Sequence, residues 1–99
     1  MDYSNITKLD LSNKGLTKLP DLSLYTNLKK LNCSNNKITR LDNLPSTIIT
    51  LYCGYNKLTS LNYLPLTLTE LYCSNNRLQY DFKPTLENIR KHNKTQVKN

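Results

Sequence analysis

Three cysteines stand 20 residues apart, Cys33, Cys53 and Cys73, inside the phrases LNCSNNKIT, LYCGYNKLT and LYCSNNRLQ that begin at Leu31, Leu51 and Leu71. Thiols in such a series could ligate a soft metal, close a disulfide or act as nucleophiles once ionised. Zinc needs four ligands converging on a point, whereas these cysteines form a line and the single histidine, His92, lies far from them in the chain. No metal site or cofactor is expected. A disulfide between neighbours stays within Cα range if the phrases stack as strands, but parallel Cβ vectors would exceed the ideal separation of about 3.8 Å, and one cysteine would remain unpaired. The favoured role is packing, since free cysteine behaves as a small buried hydrophobe. Each phrase also holds an asparagine three residues on, Asn36, Asn56 and Asn76. An amide both donates and accepts, so it can satisfy backbone groups that a turn leaves unpaired.

These residues sit in a repeat. Numbering a unit from Leu28 puts Leu31 at position 4, Cys33 at 6, Asn36 at 9, Ile38 at 11, Leu41 at 14 and Leu44 at 17, with further units from Ile6, Ile48 and Leu68. Positions 1, 4, 6, 11, 14 and 17 can be read 22 times, and every one is Leu, Ile or Cys, against about eight expected from 37% hydrophobic composition. Position 6 is Leu11 in the first unit, which marks it as an apolar position in all. Two inward residues flanking one outward residue require a short strand. Successive strands then stack in parallel, and because no unit buries its apolar edge alone, about three or more are needed for stability.

The unit LxxLxCxxNxLTxLxxLPxx resembles the leucine-rich repeat over residues 6–80. Its 20-residue form, with Leu44-Pro45 and Leu64-Pro65, is similar to repeats of secreted bacterial effectors and of proteins from large amoebal DNA viruses, while the first unit is similar to the 22-residue repeats common in eukaryotes. The resemblance implies an α/β solenoid with one short parallel strand per repeat on the concave face, an irregular convex side, and a ladder of asparagines at position 9. Lys14 holds that position in the first unit, which predicts an exposed or irregular first turn there. The solenoid is assigned to residues 1–82, with a capping helix and basic tail at 83–99.

Outward residues are not needed by the core and are free to bind. Position 3 reads Lys8, Lys30, Thr50, Glu70 and position 5 reads Asp10, Asn32, Tyr52, Tyr72, with Tyr55 three residues beyond Tyr52. Tyr52 and Tyr72 should lie side by side as rigid interface anchors, although tyrosines also stack across strands for stability alone. Gly54 could leave a notch for a partner's side chain. Lys37, Lys57 and Arg77 share position 10 and form a basic column on the rim, suited to acidic groups or simply solvated.

Beyond Tyr80, Phe82, Leu86 and Ile89 recur at helical spacing, so a capping helix is expected over 84–92, with Pro84 in its first turn and Asn93 at its exit. Lys94 to Asn99 are expected to be loose. Tyr3 is the one candidate cover for the first unit, whose open strand edge invites self-association as a homodimer.

The 99 residues carry a net charge of +7, of which the last 19 hold +3. Apolar runs are too short to cross a membrane, and the first residues lack the features of a signal peptide. A reducing cytoplasmic setting is therefore expected, where the triplets at Asn5, Asn32 and Asn93 would never be glycosylated. No surface pairs a nucleophile with a base, so no enzyme is expected. The expected function is a protein-interaction module that binds a partner protein through the concave face, in a viral or pathogen protein acting in a host cell. The alternative is polyanion or single-stranded nucleic-acid binding by the rim and tail, against which stand Glu70 on the strand face and the lack of a nucleic-acid motif.

Overall fold

Where Leu31 and Cys33 flank Asn32, inward and outward side chains alternate, and that alternation demands extended backbone. The structure, a computed structural model that describes residues 2–95, has a three-residue strand at each such place. These are β1 (Lys8–Asp10), β2 (Lys30–Asn32), β3 (Thr50–Tyr52) and β4 (Glu70–Tyr72), all parallel in the order β1-β2-β3-β4. Leu9, Leu31, Leu51 and Leu71 are in register, so equal repeat positions are neighbours in space. Backbone bonds extend the ladder past each strand: the N–H groups of Leu11, Cys33 and Cys53 donate to the carbonyls of Asn32, Tyr52 and Tyr72 at 2.7, 2.8 and 2.8 Å. The two extra residues of the first coil are absorbed in its return segment.

Stacking buries what single coils cannot. Leu28, Leu31, Ile38, Ile48, Leu51, Leu58 and Leu68 are fully buried with Cys33 and Cys53, whereas Ile6, Leu9, Leu11, Leu16 and Leu19 of the first coil remain half-buried with a neighbour on one side only. At about 1.5–3 kcal/mol for each fully buried aliphatic side chain, the two middle coils carry most of the apolar stabilisation. On the return side, the hydroxyls of Thr47 and Thr67 donate to the carbonyls of Leu28 and Ile48 at 2.6 and 2.7 Å, tying the end of a coil to its own beginning.

The three asparagines form the ladder that the repeat implies, and each serves the coil before its own. Asn56 Oδ1 accepts from the Ile38 N–H at 3.0 Å, while its Nδ2 donates to the carbonyls of Cys33, Cys53 and Gly54 at 3.0 to 3.2 Å. Asn76 repeats this with Leu58 N–H and the carbonyls of Cys53, Cys73 and Ser74. Asn36 accepts from both Lys14 and Leu16 N–H and donates to Leu11, Cys33 and Ser34. Lys14 stands where the later coils have asparagine, and among the described residues no earlier coil offers backbone there for an amide to satisfy. Its own turn is exposed, as expected, but is held by Asn36 and by Gly15 at φ +66°.

The ends are closed by different means. Tyr3 stacks on Tyr25 with centroids 4.7 Å apart and covers part of the first coil. At the other end α1 spans Leu86–Thr95, displaced from the expected 84–92. Thr85 is the N-cap, its Oγ1 accepting from Asn88 N–H at 3.1 Å, so Pro84 stands just outside the helix. Asn93 lies inside α1 and donates to the Leu61 carbonyl at 2.9 Å, which continues the helix past the expected exit. Ile89 is fully buried, and Arg90 donates to the carbonyls of Pro65 and Leu68 at 2.9 and 2.8 Å. Lys94 and Thr95, expected to be loose, belong to the helix, and residues 96–99 lie outside the described residues.

Asn56→Ala leaves four buried backbone partners without this amide, and it is expected to lower stability by about 3 kcal/mol. Asn56→Asp should cost a similar amount, since a carboxylate cannot donate to three carbonyls. Asn76→Ala, at a half-buried position that water reaches, should cost less. Urea denaturation of the three variants gives the ranking, and equal losses at both positions would contradict the burial argument.

Candidate interaction surface

Position 5 changes character along the sheet. In the first two coils its side chain bonds the chain itself: Asp10 Oδ1 accepts from the N–H and hydroxyl of Ser12 at 2.9 and 2.6 Å, and Asn32 Oδ1 accepts from Ser34 N–H at 3.0 Å. The Ser12 bonds hold the Asp10 carboxyl below its ordinary pKa, and the Lys14 charge adds to the effect. In the last two coils tyrosine takes the position and cannot form this local turn. The rings of Tyr52 and Tyr72 instead stack on each other, with centroids 4.8 Å apart and planes at 9°.

Position 3 supports that pair from one side. Glu70 Oε1 accepts from the Thr50 hydroxyl at 3.0 Å, and Oε2 accepts from the Tyr72 hydroxyl at 3.3 Å. The carboxylate pushes the Tyr72 phenol above its ordinary pKa, which keeps it a protonated donor. Thr50 is buried in this arrangement and is not an open contact residue, while Lys8 and Glu70 are exposed and Lys30 is half-buried. Gly54 offers no notch: it is buried, and a Cβ there would meet the Ser74 carbonyl oxygen at 3.2 Å.

Tyr55 differs from its column. Position 8 adopts the left-handed conformation in all four coils, at φ 57°, 57°, 55° and 59° for Asn13, Asn35, Tyr55 and Asn75. Asparagine tolerates that conformation, whereas a bulky aromatic is strained in it. The Tyr55 side chain is 58% exposed and takes part in no hydrogen bond or ring contact among the described residues. The strain at Tyr55 has a signal in the sequence, since the three asparagines of its column mark a left-handed position.

Of the three basic residues at position 10, Lys37 and Arg77 are exposed and Lys57 is half-buried. None of the three is in an ion pair among the described residues, where the pairs are Arg40 with Asp42 and Lys91 with Glu87. The cysteines are free and buried. Burial pushes the Cys33 thiol up to about 12 and those of Cys53 and Cys73 above their ordinary value, so they remain neutral packing groups. The His92 ring lies against Tyr80 and Phe82, at 5.1 and 5.5 Å, as part of the C-terminal cover.

Comparison with known proteins agrees with this architecture. Residues 4–46 match the family model described as Leucine Rich repeats (2 copies), and residues 67–89 match the one described as Leucine Rich Repeat. The stretch between the two matches contains β3, whose pairing with β2 and β4 shows the same repeat. No curated protein matches the chain.

Two outcomes follow. Tyr55→Asn should raise stability by about 1 kcal/mol through relief of the left-handed tyrosine, whereas a fall in the denaturant midpoint would reveal a structural role for the ring. Alkaline pH should destabilise the fold, because unfolded thiols ionise near 9.0 and folded Cys33 near about 12. Between those values the folded chain holds more protons, so stability is intact below pH 9 and falls as pH rises. Chemical denaturation from neutral pH upward measures the slope, and Cys33→Ala should flatten it.

Proposed function

The chain belongs to the leucine-rich repeat family, and from that premise we propose that it is a non-enzymatic module binding a partner protein through the strand face of its last two coils. Repeats of this family generally serve protein interaction. The observation that carries the reading is the Tyr52 and Tyr72 pair, two parallel rings at 4.8 Å on positions that the core does not use. Holding them stacked before binding lowers the side-chain entropy lost at an interface. Tyr55 at the edge of the same face adds an exposed ring, and Asn32, Lys30 and Glu70 supply polar surroundings. The unpaired buried thiols support work in a reducing compartment such as the cytoplasm. The likeness of the 20-residue unit to effector and amoebal viral repeats supports a pathogen protein acting in a host cell.

A second reading rests on Lys37, Lys57 and Arg77, a basic column without ion pairs among the described residues that suits a polyanion or single-stranded nucleic acid. The two readings separate by surface and by salt. Affinity capture with wild type and with Tyr52→Ala/Tyr72→Ala should lose the specific partner in the double variant, at a helix and strand content unchanged by circular dichroism. Retention of the same partner set would move the interface elsewhere. Capture abolished by Lys37→Ala/Lys57→Ala/Arg77→Ala and falling steeply with salt would favour the polyanion. Light scattering reads the mass in parallel, and 11.5 kDa at all concentrations would remove the homodimer that the open first coil invites.

A further inference from the structure

We propose that Glu70 and the outer face of Tyr72 form a receptor for an arginine side chain of the partner. The inference rests on the strand-face reading above and specifies the chemistry of its contact. Tyr72 is stacked on Tyr52 on one side only, belongs to the last strand of the sheet, and remains 49% exposed. Its second ring face therefore lacks the coil that would otherwise cover it, and no other ring stacks on it among the described residues. Glu70 is exposed, and each of its oxygens is oriented by one hydroxyl, Thr50 at 3.0 Å and Tyr72 at 3.3 Å. Each oxygen keeps a lone pair for a further donor.

In a chain of +7 this carboxylate has no basic partner within reach among the described residues. An anion fixed at the margin of an open aromatic face matches a planar cation. A guanidinium can lie over the ring while two of its N–H groups reach the carboxylate, a combination of cation–π and bidentate contacts that lysine's single ammonium does not reproduce. The nearest basic residue in the same row, Lys30, is two strands away, roughly 10 Å at the usual strand spacing. That exceeds the screening length of about 8 Å at physiological salt. Of the α1 cations that line a cavity with Thr69, Arg90 is taken up by the Pro65 and Leu68 carbonyls and Lys91 by Glu87, while Lys94 is exposed.

The test selects binders from a library of random 12-residue peptides with the full-length protein, then synthesises the best peptide with arginine or with citrulline, its neutral isostere. Arginine should be enriched among the selected sequences. Citrulline should weaken binding to wild type about tenfold or more, as expected for loss of a charged hydrogen bond. The same exchange should have little effect on Glu70→Gln, which keeps an acceptor for Thr50, and a reduced effect on Tyr72→Leu. Equal citrulline losses in wild type and Glu70→Gln would overturn the inference, as would selection of peptides without arginine or of none. The strand-face reading is judged separately: peptides that lack arginine yet fail to bind Tyr52→Ala/Tyr72→Ala leave it standing, whereas peptides that bind this double variant as well as wild type remove both.

Discussion

Backbone that is buried between stacked coils has to be hydrogen-bonded, and the turns after the strands are where a regular ladder can no longer do this. Hydrophobic burial selects which side chains face inward, but having no direction it does not satisfy the backbone of the turns. The asparagine amides supply the direction. Each one accepts an N–H from the coil before and donates to carbonyls of both coils, as Asn56 does with Ile38, Cys33 and Cys53. A slip of one residue would break those bonds and turn the leucines of the strands outward. The register of β1 to β4, the sulfur row and the alignment of the outer face depend on this bond set acting together with the buried leucines.

Because the amides reach backward, the two ends of the solenoid pose different problems. The first coil has its turn served by Asn36 and only its apolar edge uncovered, which an aromatic pair, Tyr3 on Tyr25, partly shields. Among the described residues α1 follows the last coil, and side chains from α1 and from Tyr80 do the work that a further coil would do. Arg90 takes the carbonyls of Pro65 and Leu68, Asn93 takes that of Leu61, and the Tyr80 hydroxyl accepts from Leu61 N–H at 2.8 Å. Ile89 completes the core beneath them.

Most of the fold was legible because a fixed period converts sequence spacing into spatial adjacency. Leu9, Leu31, Leu51 and Leu71 are read as neighbours from the repeat and are neighbours in the sheet, and the stacking of Tyr52 on Tyr72 follows from the same register. The errors lie where the period stops. Pro84 was read into the helix, but the Thr85 side chain makes the N-cap bond and sets the start one residue beyond it. Asn93 was read as a helix exit, whereas its amide finds a carbonyl 32 residues earlier and remains in the helix. Such bonds depend on the angle at which α1 approaches the last coil, and no periodicity encodes that angle. Gly54 was misread for a related reason: whether a glycine opens a notch depends on how closely the next coil, here Ser74, comes.

Two columns change residue type in the same part of the molecule. At position 5, Asp10 and Asn32 bond the backbone two residues on, and Tyr52 and Tyr72 give that local bond up. At position 8, asparagine suits the left-handed turn in three coils, and Tyr55 occupies it under strain. Ring stacking returns part of what position 5 loses. Among the described residues no hydrogen bond or ring contact of the Tyr55 side chain returns what position 8 loses. Stability alone favours asparagine in that column, so the fold itself does not account for Tyr55. Tyr55 and Tyr72 thus stand exposed at positions that the core does not require, and the proposed interaction surface uses this feature.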